Sequence, residues 1–202
     1  MKKLLFLFTA VCLSFAAFSQ AQFSIGLKAG PNFAKIDTES SIGENYKSRA
    51  GFHGGAFALL KAGKIGIQPE ILFSQQGSKV TINSQEFDAN FNYFNIPIIL
   101  KLYTIGGINI QAGPQFGFVS SAEGPALDEL NNVQTTQDIK NKMKSSDFSV
   151  ALGLGWDLPF GLSIDGRYNL GLSDVNKNLG ASAIKNQVWQ FSLGYKLFKF
   201  GK

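Results

Sequence analysis

The chain has 202 residues, with 19 Lys+Arg against 14 Asp+Glu, one His, one Cys, 22 Gly and 19 Phe. Charged residues make up 16 %, against about 25 % in soluble domains. A single His and a single Cys exclude a multi-ligand zinc site, a disulfide framework and a Cys/His nucleophile pair, and the length allows one domain or two small ones.

Residues 1–21 read as a secretory signal: Lys2 and Lys3 are the positive head, Leu4 to Phe18 the apolar stretch. That stretch is shorter than the ~20 residues a spanning helix needs, which argues against an uncleaved anchor. Ser19 and Ala21 stand at the −3 and −1 positions of a cleavage before Gln22, and cleavage after Ser19 fits nearly as well. Cys12 lies in the apolar stretch, and Thr9 and Val11 do not suit a lipoprotein site. Loss of Lys2 and Lys3 lowers 19 Lys+Arg to 17 against 14 Asp+Glu, too mild an excess to suggest nucleic acid. Residues 22–202 then form one domain.

Alternation with a period of two dominates that domain. In the first strand, 23–34, Phe23, Ile25, Leu27 and Ala29 oppose Ser24, Gly26, Lys28 and Gly30. The second, 49–60, is Gly-rich and has no clear phase. In 64–75, Ile65, Ile67, Ile71 and Phe73 oppose Gly66, Gln68, Glu70 and Ser74. In 89–103, Phe94, Ile96, Ile98 and Leu100 oppose Asn95, Pro97, Ile99 and Lys101. Segment 107–118 sets Ile108 and Ile110 against Asn109 and Gln111. Segment 147–158 sets Phe148, Val150, Leu152, Leu154, Trp156 and Leu158 against Ser149, Ala151, Gly153, Gly155 and Asp157. Segment 161–172 sets Leu162, Ile164, Tyr168 and Leu170 against Ser163, Asp165, Arg167 and Asn169. The last, 187–200, sets Trp189, Phe191, Leu193, Tyr195 and Leu197 against Gln190, Ser192, Gly194 and Lys196.

Short and long connections between these eight strands alternate. Lys61–Gly63, Thr104–Gly106 and Pro159–Phe160 are tight, whereas 35–48, 76–88, 119–146 and 173–186 are long and polar. This pattern predicts an all-β fold, an eight-stranded antiparallel up-and-down transmembrane β-barrel, with short turns and both termini at the periplasmic rim. The polar face carries Lys28, Glu70, Lys101, Asp165, Arg167 and Lys196 inside strands, too many charges for a dry core. Aromatic residues gather near strand ends as girdles: Phe23, Tyr103, Trp156, Phe160 and Phe200 on the short-turn side, Phe33, Phe52, Phe73, Phe116, Phe148 and Trp189 on the other. A soluble lipocalin-like barrel around a hydrophobic ligand would not require them.

Several stretches carry a family resemblance: Gly26-Leu27-Lys28-Ala29-Gly30-Pro31-Asn32-Phe33, Gly51-Phe52-His53-Gly54-Gly55, Gln68-Pro69-Glu70-Ile71-Leu72-Phe73-Ser74, Ile96-Pro97-Ile98-Ile99-Leu100-Lys101 and Ala112-Gly113-Pro114-Gln115-Phe116. With them the chain resembles the porin-like or PorT-like outer-membrane barrels common in Bacteroidota, of the OmpA-like eight-stranded kind. The resemblance implies a fold and an outer-membrane location, and says little of function. Ala-Gly-Pro-x-Phe occurs at 29–33 and again at 112–116, as after a hairpin duplication. Each strand proline loses a ladder bond, so bulges are expected near Pro31, Pro69 and Pro114.

No nucleophile elbow, phosphate loop or metal-ligand spacing is present, so the chain is expected not to be an enzyme and to need no cofactor or metal. His53, the sole imidazole, is expected to be structural. An eight-stranded interior is only wide enough to be filled by side chains, and buried charges must pair. Lys28, Glu70, Asp165 and Arg167 are therefore expected to form a polar plug, with Lys101 and Lys196 lower and Asp157 near the mouth. Loop 119–146, with room for a short helix, is the expected contact for an envelope protein, a surface polysaccharide or a cation. The function expected is a structural, adhesive or assembly scaffold in outer-membrane lipid, as a monomer. The alternatives are a narrow porin-like channel and the lipocalin-like binder.

Overall fold

The structure, a computed structural model, describes residues 21–38, 46–82, 85–127, 133–138, 140, 145–173 and 184–201. The expected signal segment lies outside the described residues up to residue 20. Its last residue, Ala21, opens the first strand.

The elements are β1 (Ala21–Thr38), β2 (Tyr46–Ala62), β3 (Ile65–Ile82), β4 (Gln85–Tyr103), β5 (Ile108–Leu127), β6 (Val133–Asp138), β7 (Ser146–Asp157), β8 (Leu162–Gly171) and β9 (Ile184–Phe200). All pair antiparallel in the order β4-β3-β2-β1-β9-β8-β7-β5-β6, and β4 also pairs with β5. That pairing closes a ring of eight. β6 lies outside the ring, added to the far end of β5, where Glu123–Leu127 face Asp138–Val133.

The three tight connections fall where the alternation ends. Gly63 (φ 58°) and Gly161 (φ 96°) take the left-handed conformation that such turns need. The long connections differ from expectation. β3 and β4 run on to Ile82 and Gln85, through most of 76–88, and β5 and β6 fill 119–127 and 133–138 with strand. No α-helix occurs in 119–146 among the described residues; 128–132, 139 and 141–144 lie outside them. The reason is physical: beyond the apolar band the ladder still satisfies backbone groups, but no face has to be apolar, so pairing outlasts the alternation that reveals it.

Side chains alternate as the ring requires. Ser24, Lys28 and Asn32 are buried inside, while Phe23, Ile25 and Leu27 stand outside. β2, whose phase the sequence leaves open, turns His53, Phe57 and Leu59 inward. With Leu72, Ile99 and Phe91 these apolar groups fill part of an interior expected to be polar.

The prolines do not sit at bulges. Register shifts fall at Ile25/Gly26, Ser48/His53, Asn92/Tyr93 and Ala126/Leu127. Instead the β1–β9 ladder skips Gly30–Pro31 and the β4–β5 ladder skips Gly113–Pro114, both resuming in the same register. A third gap, at Glu70–Ile71 of β3, lies opposite Pro97. The β1–β2 ladder runs unbroken past Pro31, and the Asn32 side chain serves carbonyls where β2 and β3 part, Phe52 O and Gln75 O, each at 3.1 Å.

Candidate functional site: the barrel interior

The interior is built in tiers. At the short-turn rim Asp157 accepts from Lys196 at 2.8 Å, Lys101 at 3.2 Å and the Tyr103 hydroxyl at 2.9 Å. Tyr103, expected in the girdle, is therefore an interior residue, 4 % exposed. Its parity in β4 puts it on the Lys101 face, and its hydroxyl gains a charged acceptor there. The Lys61 ammonium lies 4.0 Å from the centre of its ring. Tyr103→Phe is expected to lower the unfolding free energy of the vesicle-embedded barrel, read from its denaturant midpoint, by the lower end of the ~1.5–3 kcal/mol of a hydrogen bond to a charged group, because Asp157 keeps both lysines.

The middle tier holds the four residues expected to form a plug. Arg167 meets Glu70 in bidentate fashion, Nη1 to Oε2 at 2.8 Å and Nη2 to Oε1 at 2.7 Å. Lys28 Nζ lies 3.5 Å from Glu70 and 3.1 Å from Asp165. Lys101 links the tiers, 3.6 Å from Asp165. Two amides complete the set. Gln111 accepts from Arg167 Nε at 2.6 Å and donates to Asp165 at 2.5 Å, and Gln68 donates to Glu70 at 2.6 Å. Sequence reasoning placed these glutamines on the polar face but not in the network, since only the fold shows which strands face across the barrel. Gly153 and Gly155 of β7 make the room: a Cβ on Gly153 would meet the Gly166 carbonyl and Arg167, and one on Gly155 the Gln111–Asp165 pair.

Above this tier His53 Nδ1 lies 2.6 Å from Asn32 Oδ1 and its Nε2 lies 2.7 Å from Ser192 Oγ. The Asn32 amide nitrogen is committed to Ser74 and to backbone carbonyls, so Nδ1 donates and the imidazole is a structural bridge. Farther up, Gln115, Ser149 and Asn169 border a polar cavity of about 10 Å³, room for one water. Asn95 Nδ2 and Asn169 Oδ1, on its wall, have no protein partner. Beyond it Asp147 accepts from Asn186 at 3.1 Å and from Ser173.

Outside, Phe23, Trp156, Phe160, Phe148 and Trp189 are exposed and Phe73 is partly so. Contacts between neighbouring rings run round the long-loop side: Phe52–Phe73 at 6.0 Å, Phe73–Phe94 at 5.8 Å, Phe116–Phe148 at 5.3 Å and Tyr168–Trp189 at 4.9 Å. Between these rings and Phe23, Phe160 and Phe200 the outer wall is mostly Ile, Leu and Ala, with Pro69, Val150, Gly166 and Tyr195 among them.

Residues 18–177 match the family described as outer membrane protein beta-barrel domain. The chain belongs to that family. Its place is the outer membrane, and the apolar outer wall of this family member is its lipid-facing surface. None of the curated proteins compared matches the chain. Among solved structures it is similar to Neisserial surface protein A, NspA, at 12 % identity and TM-score 0.53, over 87 % of this chain and 99 % of that one. It is also similar to Ail, the attachment invasion locus protein of Yersinia pestis, in complex with the heparin analogue sucrose octasulfate, at 13 % identity and TM-score 0.50, over 90 % and 99 %. At these identities the likeness is one of fold.

Proposed function

We propose that this outer-membrane barrel is a closed structural or adhesive scaffold for an envelope assembly, non-enzymatic and monomeric, with both termini periplasmic. Its partner, an envelope protein or surface polysaccharide, engages the 119–146 region. The finer kinship is with the PorT-like barrels of Bacteroidota, on the stretches from Gly26 to Phe33 and from Ala112 to Phe116. The observation that carries the closed reading is the middle tier. Glu70, Arg167, Lys28 and Asp165, each at most 4 % exposed, bond across the interior from three strands, and Gln111 of β5 joins them. An eight-stranded ring has no lumen beyond what side chains fill.

The test is current through planar bilayers holding the refolded mature chain. Silence in a bilayer shown to contain inserted protein is the expected result. Discrete steps above the lipid background would replace the scaffold with a narrow channel.

A further inference from the structure

The outer wall is not smooth. An apolar groove of about 700 Å³ crosses β7, β8, β9 and β1, within the range of about 300–1,000 Å³ typical of small-molecule sites. Leu154, Trp156, Ile164, Phe191 and Leu193 form its sides and Gly166 its floor. A Cβ at Gly166 would meet nothing nearer than Phe191 ring carbons at 3.6 and 3.7 Å, so the floor is open because no side chain fills it. A second groove of about 390 Å³ continues it past Leu193 toward Leu27 and Tyr195. Both ends of the main groove are fixed. At the short-turn end the Trp156 indole donates to Gly106 O at 3.0 Å. At the other, Phe191 packs against Phe33 and Trp189, at 6.2 and 6.5 Å between ring centres.

We propose that this groove is a binding site for one acyl chain of a periplasmic-leaflet phospholipid. The groove is continuous with the lipid-facing wall of the family and lies between its two aromatic girdles, so the medium that covers it is hydrocarbon. Its lining offers an apolar ligand contact and little else. It opens beside Trp156, at the short-turn rim, and the choice of phospholipid rests on the proposed periplasmic position of that rim. A chain held between Trp156 and Phe191 exchanges more slowly than the lipid around the rest of the barrel, because the floor at Gly166 and the flanking side chains add contacts that a flat wall lacks.

The two tryptophans of the chain make the proposal measurable. Trp189→Phe leaves Trp156, in the groove, as the sole emitter; Trp156→Phe/Trp189→Phe/Phe94→Trp moves the sole emitter to the exposed outer face of β4, the standard for ordinary boundary lipid. Each folded chain is held in detergent micelles, to which phosphatidylcholine brominated on its acyl chains is added in rising mole fraction, so that lipid competes with detergent at each position. Trp156 is expected to reach half-quenching at a several-fold lower lipid fraction than the β4 emitter. Gly166→Leu, added to Trp189→Phe, fills the floor and is expected to raise that fraction about fourfold, the change carried by one buried methylene. Coincident curves for Trp156 and the β4 emitter, or an unchanged curve with Gly166→Leu, would overturn the proposal. So would cross-linking of two chains through the groove in the same micelles, since a second copy would then be its occupant. Quenching does not depend on conductance, so failure of the scaffold reading would show separately.

Discussion

Replacing Glu70 with alanine is expected to destabilise the barrel by ~3–5 kcal/mol, the usual cost of stranding the partner of a buried ion pair. Four bonds end on this carboxylate: two from Arg167, one from Lys28 and one from Gln68. Alanine leaves both terminal nitrogens of Arg167 without these acceptors, while its Nε keeps Gln111. Lys28 suffers less, because Asp165 remains 3.1 Å away. The readout is the midpoint of denaturant unfolding in lipid vesicles, with heat-shifted gel mobility as a check that the variant folds. The double variant Glu70→Leu/Arg167→Met is expected to recover much of the loss, because well-packed apolar groups replace a buried pair at little cost or with gain. A coupling energy of about 0.5–3 kcal/mol between the two sites would register the contact. A Glu70→Ala variant as stable as wild type would mean that the ion network does not hold the interior. The same variant is also expected to pass current where wild type is silent, since water must enter to hydrate Arg167. A silent Glu70→Ala barrel would assign closure to Gln68, Gln111 and their apolar neighbours rather than to the ions.

Much of this arrangement is written in the sequence, for a reason particular to barrels. A strand that faces lipid on one side and a polar interior on the other must alternate strictly, so β1, β7 and β9 can be read residue by residue. The charged members of the plug stand out because Lys28, Glu70, Asp165 and Arg167 interrupt apolar strands. What stays hidden is whatever depends on the angular order of strands around the ring. The meeting of Gln111 with both Arg167 and Asp165 is of that kind, and so is the space left by Gly153 and Gly155. Tyr103 shows a second limit. An aromatic residue near a strand end suits a girdle and an interior rim equally by composition, and only its parity with Lys101 decides. β2 shows a third: Phe57 and Leu59 face inward while Ala56 and Ala58 face out, so apolar character no longer marks the lipid side. The strand extensions are harder to see because apolar residues are sparse there: Val80 stands opposite Phe87, but its neighbours Lys79 and Thr81 stand opposite Asp88 and Glu86.

Gly30→Ala is expected to be as damaging as loss of the plug, through the backbone alone. A Cβ on Gly30 would fall onto the carbonyl of Phe191 in β9, where the ladder breaks beside Pro31. The second copy of the motif repeats the geometry: a Cβ on Gly113 would fall onto the carbonyl of Ile98 in β4, beside Pro114. In both places the proline interrupts the ladder and the glycine lets the neighbouring strand approach, so Ala-Gly-Pro acts as a unit of close strand packing rather than a bulge. The obstacle is backbone that the adjoining pairs hold in register, and it cannot swing aside as a side chain can. Either alanine should therefore cost more than the ~1–3 kcal/mol of ordinary overpacking, with much of the refolded protein failing to reach the heat-shifted form. Gly155→Ala is the informative control. Its Cβ would meet the ends of the Gln111, Asp165 and Asn109 side chains, which can move, so that variant should fold and lose stability by about 1–3 kcal/mol as the plug rearranges. Equal losses for Gly30→Ala and Gly155→Ala would mean that β1 and β9 can part at Pro31, and that the motif does not set the approach of the strands.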